Sequence, residues 1–214
     1  MMTLREWQTI RKPKNNLIVN ASAIDGSDSP QQFPIGLYYK YLLFDKLETQ
    51  IGSHAGLVFC GIRYTDQRRN GTNRSTIVQT LESNGIRNTM LTSYEYFTIL
   101  PNYKFVVSPE GNGVDCHRHY EALMAGCIPI VEDNPHIRSV YGHCPILYTS
   151  NYSEITPAYL AQKYTEMLDL KYDFSRLFIS SYPMSVQHEI LENSSFWTKG
   201  NIPRPRKNNK WGIK

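Results

Sequence analysis

The amino-acid sequence predicts an α/β fold in which helices cover both faces of a mainly parallel sheet. Three short apolar runs support this prediction: LVFC at 57–60, FVVS at 105–108 and CIPIV at 127–131. Runs of this length, bounded by turn residues, are typical of strands that are buried on both faces. Helical patterns at 74–83 and 117–125 follow the first two runs, and this alternation of strands with helices indicates a Rossmann-like architecture.

The segment that precedes the first of these strands has weaker signals. LIVN at 17–20 is predicted as a short strand, and the turn-forming residues after it indicate a loop. Residues 37–50 (LYYKYLLFDKLETQ) are predicted as a helix. Because few regular elements precede Gly56, we expect residues 1–55 to form an abbreviated N-terminal region.

Capping residues mark the ends of the two central helices. Asn73 suits the N-cap of the first, and Gly85 lies just past its end. Gly126 stops the second helix, since glycine readily adopts the left-handed conformation that ends helices.

The remaining elements complete a single unit. ILY at 146–148 is predicted as a further strand, and Thr156-Pro157 opens a helix that reaches about Leu170, with proline at the first helical position. At 214 residues the chain suits one domain with extensions. We therefore expect a Rossmann-like domain over residues 56–198 and a basic, flexible tail over residues 199–214.

The net charge of +4 comes mostly from the C-terminal tail. That tail carries six basic residues and no acidic one, which leaves 17 basic and 19 acidic residues in the rest of the chain. A nucleic-acid-binding domain would show a basic excess in its body. We therefore expect no nucleic-acid partner and interpret the tail as a solvated end.

The chain shows no targeting or membrane signal. No apolar run approaches the length of a membrane span, and the N-terminus has no apolar stretch typical of a signal peptide. The four cysteines have no paired spacing, which favours free thiols in a reducing compartment. We therefore expect a cytoplasmic protein. The cysteines are Cys60, Cys116, Cys127 and Cys144.

A glycine-containing loop lies between the second predicted strand and its helix. It has the sequence Pro109-Glu110-Gly111-Asn112-Gly113. In open parallel sheets, ligands bind beyond the carboxyl ends of the strands. Glycine lets backbone approach a ligand closely and tolerates positive φ, and the unpaired N–H groups at a helix start attract phosphate. The same glycines would also suit a simple tight turn.

Two charged residues share one face of the helix after this loop. Arg118 and Glu121 are three positions apart, with Arg118 in the first turn. An arginine fork suits phosphate oxygens, and a carboxylate one turn deeper could accept hydrogen bonds from ribose hydroxyls. The alternative is an ion pair on the helix surface, worth only about 0.5 kcal/mol.

Three polar neighbours carry further candidate roles. Asp115 suits the N-cap of the helix, a role that would use the backbone donors a phosphate needs. His117 could donate to phosphate or act as an acid or base, and so could His119, for which a satisfied polar environment is the preferred interpretation. A structural zinc site is a further alternative, but the cysteines and histidines lack the usual paired spacing.

The loop after the first predicted strand is a second candidate ligand edge. Gly61 and Arg63 stand at the strand end, and Arg68 and Arg69 follow in a polar loop. Arg74 begins the next helix, where the helix dipole disfavours a cation. A bound anion would explain that placement, whereas Arg68 and Arg69 fit a solvated basic loop.

The segment KFVVSPEGNGVDCHRHYEALMAGCIPIVED (104–133) resembles the donor-binding segment of exostosin-like glycosyltransferases and their GT-B relatives. The similarity combines an apolar strand, a Pro/Glu-Gly loop, an arginine, a Glu-Ala pair and a Gly-Cys-Ile-Pro run. LVFCGIRYT and Arg74 upstream are similar to the first strand and basic loop of the same half. Together the similarity covers roughly residues 56–150.

The resemblance implies a GT-B C-terminal-domain-like fold and a nucleotide-sugar donor. It assigns the diphosphate to Arg118 and the ribose to Glu121, with Gly111 and Gly113 allowing close approach. It also implies that no bound metal is needed, because basic side chains and helix ends neutralise the leaving diphosphate. The sequence has no DxD motif, which agrees with that expectation.

The sequence departs from this family before the donor half. The acceptor site and catalytic base of such enzymes usually belong to an N-terminal domain, and only about 55 residues are available here. Asp25 and Asp28 are the N-terminal carboxylates considered as a base, although aspartates there also suit turns.

We therefore expect a metal-independent glycosyltransferase that moves a sugar to a glycan or other hydroxyl acceptor. The candidate catalytic residues are Arg118, His117 and Asp115. The alternative is a non-catalytic nucleotide-sugar-binding module or subunit, with a partner chain or second copy supplying the acceptor site.

Overall fold

The computed structural model describes most of the central chain and three short N-terminal stretches. Asp25, Asp28, Arg68, Arg69 and Asn112 lie outside the described residues, as does most of the predicted helix at 37–50. The described residues are 1–10, 16–21, 32–38, 52–63, 73–111, 113–193, 196–198 and 203–205, the last two as backbone only.

Strands in the described residues form one larger sheet and two small pairs. The larger sheet has the order β2-β3-β4-β5 with every neighbour parallel, whereas β1 pairs with β6 and β7 with β8 in antiparallel fashion. The strands are β1 (Met2–Thr3), β2 (Gly56–Phe59), β3 (Tyr103–Val107), β4 (Ile128–Glu132), β5 (Leu147–Thr149), β6 (Lys171–Tyr172), β7 (Phe196–Thr198) and β8 (Pro203–Pro205).

Helices flank the parallel sheet, which confirms the predicted α/β, Rossmann-like class. Short 3-10 helices lie at Leu100–Asn102, Tyr152–Glu154, Ser175–Leu177 and Ile179–Ser181. The α-helices of the described residues are α1 (Leu4–Thr9), α2 (Arg74–Ser83), α3 (Ser93–Ile99), α4 (His117–Met124), α5 (Pro135–Tyr141), α6 (Pro157–Leu168) and α7 (Met184–Asn193).

The parallel strands are buried on both faces. Along β3, Phe105 and Val107 pack into the main core, whereas Val106 between them packs into a second cluster with Ala122 of α4. Because successive side chains of a strand point to opposite faces, the two clusters lie on opposite sides of the sheet. Full burial of such side chains is worth about 1.5–3 kcal/mol each, which is why continuous apolar runs mark these strands.

Local signals define the ends of several helices as predicted. The Asn73 side chain accepts a hydrogen bond from the backbone N–H of Ser75 at the start of α2, and Gly85 beyond its end has φ +82°. Thr156 caps α6, with Pro157 at its first position. Gly126 has φ +79° directly after α4, as a helix stop requires.

The N-terminal residues pack against the central unit. The indole Nε1 of Trp7 donates to the Leu123 carbonyl at 2.7 Å, and its ring stacks on Phe174 with 4.1 Å between centroids. Gln8 Nε2 donates to the Gly126 carbonyl at 2.9 Å. These contacts join α1 to α4, while the domain boundaries at residues 55 and 198 stay predictions.

Some local predictions differ from the structure. In the described residues, LIVN at 17–20 makes isolated bridges, from Leu17 to Phe178 and from Val19 to Leu37, and is not part of a named strand. Leu37 takes part in a bridge and is not helical. Within the described part of the chain, none of the helices combines the length and apolar character that crossing a bilayer requires.

Candidate functional site

A cleft of about 320 Å³ lies at the carboxyl edge of the parallel sheet. Its position follows from its lining, because Pro109 comes just after β3 while Arg74 and Cys116 stand at the starts of α2 and α4. The cleft therefore occupies the edge where parallel sheets bind ligands. Its lining residues are Tyr38, Arg74, Ser93, Tyr96, Phe97, Pro109, Cys116, His117, Arg118 and Glu121.

Arg74 holds the backbone of the glycine-containing loop. Its Nε donates to the Glu110 carbonyl at 2.9 Å, and its Nη2 lies 3.4 Å from the Pro109 carbonyl. A Cβ on Gly111 would lie 3.2 Å from the same Nη2, so glycine keeps room for this arginine. These two carbonyl groups stabilise the Arg74 cation and so explain in part why a cation stands at the start of α2, where the helix dipole disfavours it.

The loop glycines act differently from the prediction. Neither Gly111 nor Gly113 has positive φ, so the tolerance of glycine for that conformation is not used here. The Gly111 N–H donates to the Gly113 carbonyl at 2.9 Å, which closes the loop on itself. A Cβ at position 111 would crowd Arg74, while a Cβ at position 113 would find ordinary space. Close approach of a ligand to these glycines stays a prediction.

The second partner of this loop is the last residue of β4. Glu132 Oε2 accepts a hydrogen bond of 3.0 Å from the Glu110 N–H, while Glu132 Oε1 is buried without a hydrogen-bond partner among the described residues. Burial raises the pKa of the Glu132 carboxyl, against the opposing effect of its hydrogen bonds. The loop is therefore held on one side by a guanidinium and on the other by a carboxyl group.

The prediction that Asp115 caps α4 is wrong. Cys116 occupies the N-cap position and makes no capping hydrogen bond with its side chain. The Asp115 carboxylate instead accepts from the Ile35 N–H at 2.7 Å and from the Tyr141 hydroxyl at 2.8 Å. Both partners come from distant parts of the chain, so the carboxylate ties elements together while the helix start keeps its backbone donors without a side-chain cap.

Arg118 and Glu121 both line the cleft, as the helical spacing predicted. No ion pair within 4 Å joins Arg118 to a carboxylate of the described residues, so the surface-pair alternative does not describe it. The Arg118 guanidinium lies over the ring of Tyr96, 5.6 Å from its centroid. The side chain thus borders the cleft next to α3.

Glu121 is held by two protein donors. Its Oε2 accepts from the Tyr96 hydroxyl at 3.0 Å, and its Oε1 lies 3.4 Å from the Tyr38 N–H. Burial raises the pKa of the Glu121 carboxyl, while the nearby His117 and Arg118 act in the opposite direction. Each carboxylate oxygen has a second lone pair, so these bonds leave room for a ligand hydroxyl.

The two histidines of α4 have different environments. His117 Nδ1 donates to the Gly36 carbonyl at 2.8 Å, and its ring borders the cleft. His119 is fully buried, with Nδ1 2.7 Å from the Ser108 hydroxyl and Nε2 3.2 Å from the Val114 carbonyl. Both ring nitrogens of His119 therefore have protein partners, as predicted from the sequence.

Gly61 and Arg63 do not belong to the lining of this cleft. A Cβ on Gly61 would lie 2.5 Å from the Phe59 ring, so that glycine serves packing at the end of β2. Arg63 is exposed. Contacts of these two residues with a sugar donor stay predictions, and neither residue lines the cleft.

Four lining residues were missed from the sequence. Tyr38 lies in the segment predicted as a helix, and the other three belong to α3, which was not predicted. Thr92 and Glu95 form a capping box at the start of α3, and that Thr-x-x-Glu pattern was the signal that could have found it. The missed residues are Tyr38, Ser93, Tyr96 and Phe97.

In the ranges that the structure describes, no three His, Cys, Asp or Glu side chains gather as a metal site would require. All four cysteines are free, as their spacing predicted.

A region that matches a known family contains the described lining residues of the cleft other than Tyr38. No curated protein matches the chain. A family model described as the RXYLT1 C-terminal domain matches residues 65–168, just under half of the chain, and this range contains Arg74, the loop, Arg118 and Glu121. RXYLT1 is a xylosyltransferase family domain, and the exostosin-like assignment stays a prediction. Over that central region the chain is similar to a glycosyltransferase-related family.

Proposed function

We propose that this chain binds a nucleotide-sugar donor in the cleft and transfers its sugar to a hydroxyl acceptor without a protein-bound metal. One observation carries the proposal. The Arg118 guanidinium and the start of α4, which lacks a side-chain cap, border the same cleft beside the Pro109 loop. Backbone donors at a helix start and a guanidinium fork are together suited to a diphosphate.

The charge around the cleft favours an anionic ligand. Burial lowers the pKa of the Arg74 guanidinium, and the positive charge of Arg118 acts in the same direction. A bound diphosphate would offset this effect at Arg74. For Arg118, burial acts to lower the pKa, but Tyr96, Cys116 and Glu121 outweigh it and the pKa is raised. In transfer, the same groups would stabilise the negative charge that builds on the departing diphosphate.

Glu121 and its partners suit the sugar of the nucleotide. The carboxylate is 4% exposed and lies one helical turn beyond Arg118, with its orientation set by Tyr96 and Tyr38. Its remaining lone pairs could accept two ribose hydroxyls, while the Tyr96 and Phe97 rings supply apolar walls. This is the role that the sequence resemblance implied.

The source of the catalytic base decides between two versions of this function. Asp115 already accepts two hydrogen bonds from protein groups, so a free base role would require it to give them up. His117 donates through Nδ1, which leaves Nε2 as the basic nitrogen of its neutral ring. With Asp115 engaged, His117 is the candidate base if this chain catalyses transfer alone. In the alternative version, this chain binds the donor and a partner chain completes the acceptor site.

Donor binding and turnover separate these versions. Calorimetry and thermal shift would be measured with a panel of nucleoside diphosphates and nucleotide sugars that includes a xylosyl donor, because a ligand of the folded state raises the melting temperature. Release of nucleoside diphosphate from each donor reports turnover. Binding with turnover supports a transferase, and binding without turnover supports the module.

Arg118→Ala tests the placement of the diphosphate. Loss of one charge-assisted contact of about 1.5–3 kcal/mol predicts roughly 10- to 100-fold weaker binding. Arg138→Ala is the matched control, because Arg138 is a helical arginine that pairs with Asp133 on the surface, away from the cleft lining. Equal affinity of the Arg118 variant and the unmodified protein would remove the assigned role.

A further inference from the structure

Cys116 differs from the other three cysteines in its surroundings. Cys60, Cys127 and Cys144 are buried in the core, and burial raises the pKa of the Cys60 thiol to about 12 and also raises that of Cys144. Cys116 is only partly buried and lines the cleft. It is therefore the cysteine that a small molecule in the cleft would meet.

Cys116 lies against a buried histidine. Its Sγ is 3.5 Å from Nδ1 and 3.7 Å from Nε2 of His119, and 3.8 Å from the Ser108 hydroxyl. Because the sulfur is almost equally far from both ring nitrogens, we interpret the contact as an electrostatic one with the whole imidazole ring and not as one linear hydrogen bond. Since the Val114 carbonyl can only accept, His119 Nε2 carries a proton, and Nδ1 can take the second one beside Ser108.

The pair favours its charged forms. Burial lowers the pKa of His119, but the facing sulfur outweighs it and the pKa rises to about 9. Burial likewise raises the pKa of the Cys116 thiol, yet the charge and proximity of His119 bring it below the ordinary value. The start of α4 at Cys116 adds its positive end to the same effect.

We propose that Cys116 and His119 form a thiol modification site in the cleft, which takes small anionic disulfides by exchange. The Cys116 thiolate attacks one sulfur of the reagent, whose S–S bond breaks, and the other half leaves as a thiolate. One disulfide replaces another, so no further oxidant is needed. His119 is a positioning residue that keeps the attacking sulfur ionised.

The anionic preference follows from the lining of the cleft. Arg74 and Arg118 flank Cys116, whereas Glu121 is the carboxylate on that wall and its charge is already opposed by protein donors. An adduct on the sulfur would occupy the space assigned to the diphosphate. Only this overlap with the diphosphate rests on the proposed function, because the disulfide exchange itself needs no nucleotide-sugar donor.

The exchange is tested by mass spectrometry of the intact protein. Oxidised glutathione, bis(2-hydroxyethyl) disulfide and cystamine would serve as anionic, neutral and cationic reagents, with the adduct located by peptide mapping. We expect one adduct, on Cys116, formed at least about tenfold faster than on the three core cysteines. The expected order of rates is anionic, then neutral, then cationic, and Cys116→Ser should form no adduct.

The role of His119 is tested through the pH profile of alkylation by iodoacetamide. The wild-type profile should rise below the range of an ordinary thiol, and His119→Asn should slow the reaction about tenfold at pH 6.5, with circular dichroism checking that the variant folds. If that variant does not fold, the wild-type profile alone decides. The groups that face the sulfur or the ring are Arg118 on α4, Asp115 before it, Arg74 on α2, Glu132 on β4, Tyr141 on α5 and Tyr152 beyond β5.

The outcomes separate this site from the proposed function. Reaction at Cys116 no faster than at the core cysteines, or an ordinary thiol profile, would overturn the modification site. Rapid reaction that inorganic pyrophosphate slows supports both the site and the diphosphate position. Rapid reaction that pyrophosphate leaves unchanged supports the site and counts against the diphosphate position.

Discussion

The Tyr96 hydroxyl donates a 3.0 Å hydrogen bond to Glu121 Oε2, and the Tyr96 ring lies 5.6 Å from the Arg118 guanidinium. One residue of α3 thus contacts both charged side chains that the spacing on α4 brings to the cleft. Because Arg118 has no carboxylate partner within 4 Å among the described residues, Tyr96 takes the place that an ion-pair partner would fill.

Removal of the Tyr96 hydroxyl should weaken both folding and donor binding. Tyr96→Phe keeps the ring over Arg118 but leaves Glu121 Oε2 without this donor, which costs about 1–3 kcal/mol for a buried acceptor. We expect about tenfold weaker nucleotide binding by calorimetry and a modest loss of unfolding free energy in urea. Tyr94→Phe, on the exposed side of the same helix, is the control. Unchanged affinity in Tyr96→Phe would show that Glu121 needs no orientation by Tyr96.

The two loop glycines should respond differently to alanine. A Cβ at Gly111 would lie 3.2 Å from Arg74 Nη2, so in Gly111→Ala the guanidinium must move by a few tenths of an ångström, which strains its bonds to the Pro109 and Glu110 carbonyls. The weakening of these contacts predicts a destabilisation of about 1 kcal/mol in urea and weaker nucleotide binding.

Gly113→Ala is the matched control for that change. Its Cβ would lie 3.6 Å from the nearest atom, the Asp115 carbonyl, and its φ is not positive. We expect its unfolding free energy to stay within about 0.5 kcal/mol of wild type. A larger loss in Gly113→Ala than in Gly111→Ala would contradict the role given to Arg74.

Glu132 should make stability fall as pH rises. Because burial raises its folded pKa above the ordinary 4.5, the folded state binds the proton more tightly than the unfolded state. The stabilising contribution is fully present below 4.5 and is lost as pH rises through the folded pKa. Glu132→Gln keeps an acceptor for the Glu110 N–H and removes the buried charge.

The measurement is the unfolding free energy of both proteins in urea from pH 4 to 7.5. We expect Glu132→Gln to gain stability relative to wild type across this window. Glu189→Gln, at an exposed position of α7, corrects for the change of net charge. A difference between Glu132→Gln and wild type that does not vary with pH would mean that Glu132 titrates normally.

Tyr120 should anchor the N-terminal segment to α4. Its hydroxyl accepts from the Ile18 N–H at 3.2 Å and donates to the Leu177 carbonyl, and the residue is fully buried. Tyr120→Phe would leave two buried backbone groups unpaired, at a cost of about 1–3 kcal/mol each. The expected result is a lower urea midpoint and faster hydrogen exchange at Ile18. Tyr172→Phe, which loses a single bond to the Met167 carbonyl, should cost less.

Much of the central sheet could be predicted because its signals are local. LVFC, FVVS and CIPIV are continuous apolar runs, and each becomes a strand of the parallel sheet within one or two residues. Asn73 and Gly126 mark helix ends through chemistry that acts within a few residues. Four helices, α1, α3, α5 and α7, were missed. The first three have only six or seven residues, which carry too little periodic pattern for a firm prediction, whereas the ten residues of α7 were long enough to be found.

The sequence by itself determined the class of fold, the place of the loop at the strand end, and the shared face of Arg118 and Glu121, because these depend on contacts within one or two turns. Tertiary structure decided the partners. Asp115 suited a helix cap by local chemistry, yet its carboxylate accepts from the Ile35 N–H, 80 positions away in the chain. Hydrogen bonds between distant segments leave no periodic trace in the sequence, so only the folded chain could bring Tyr96 to Glu121 and Arg74 to the loop.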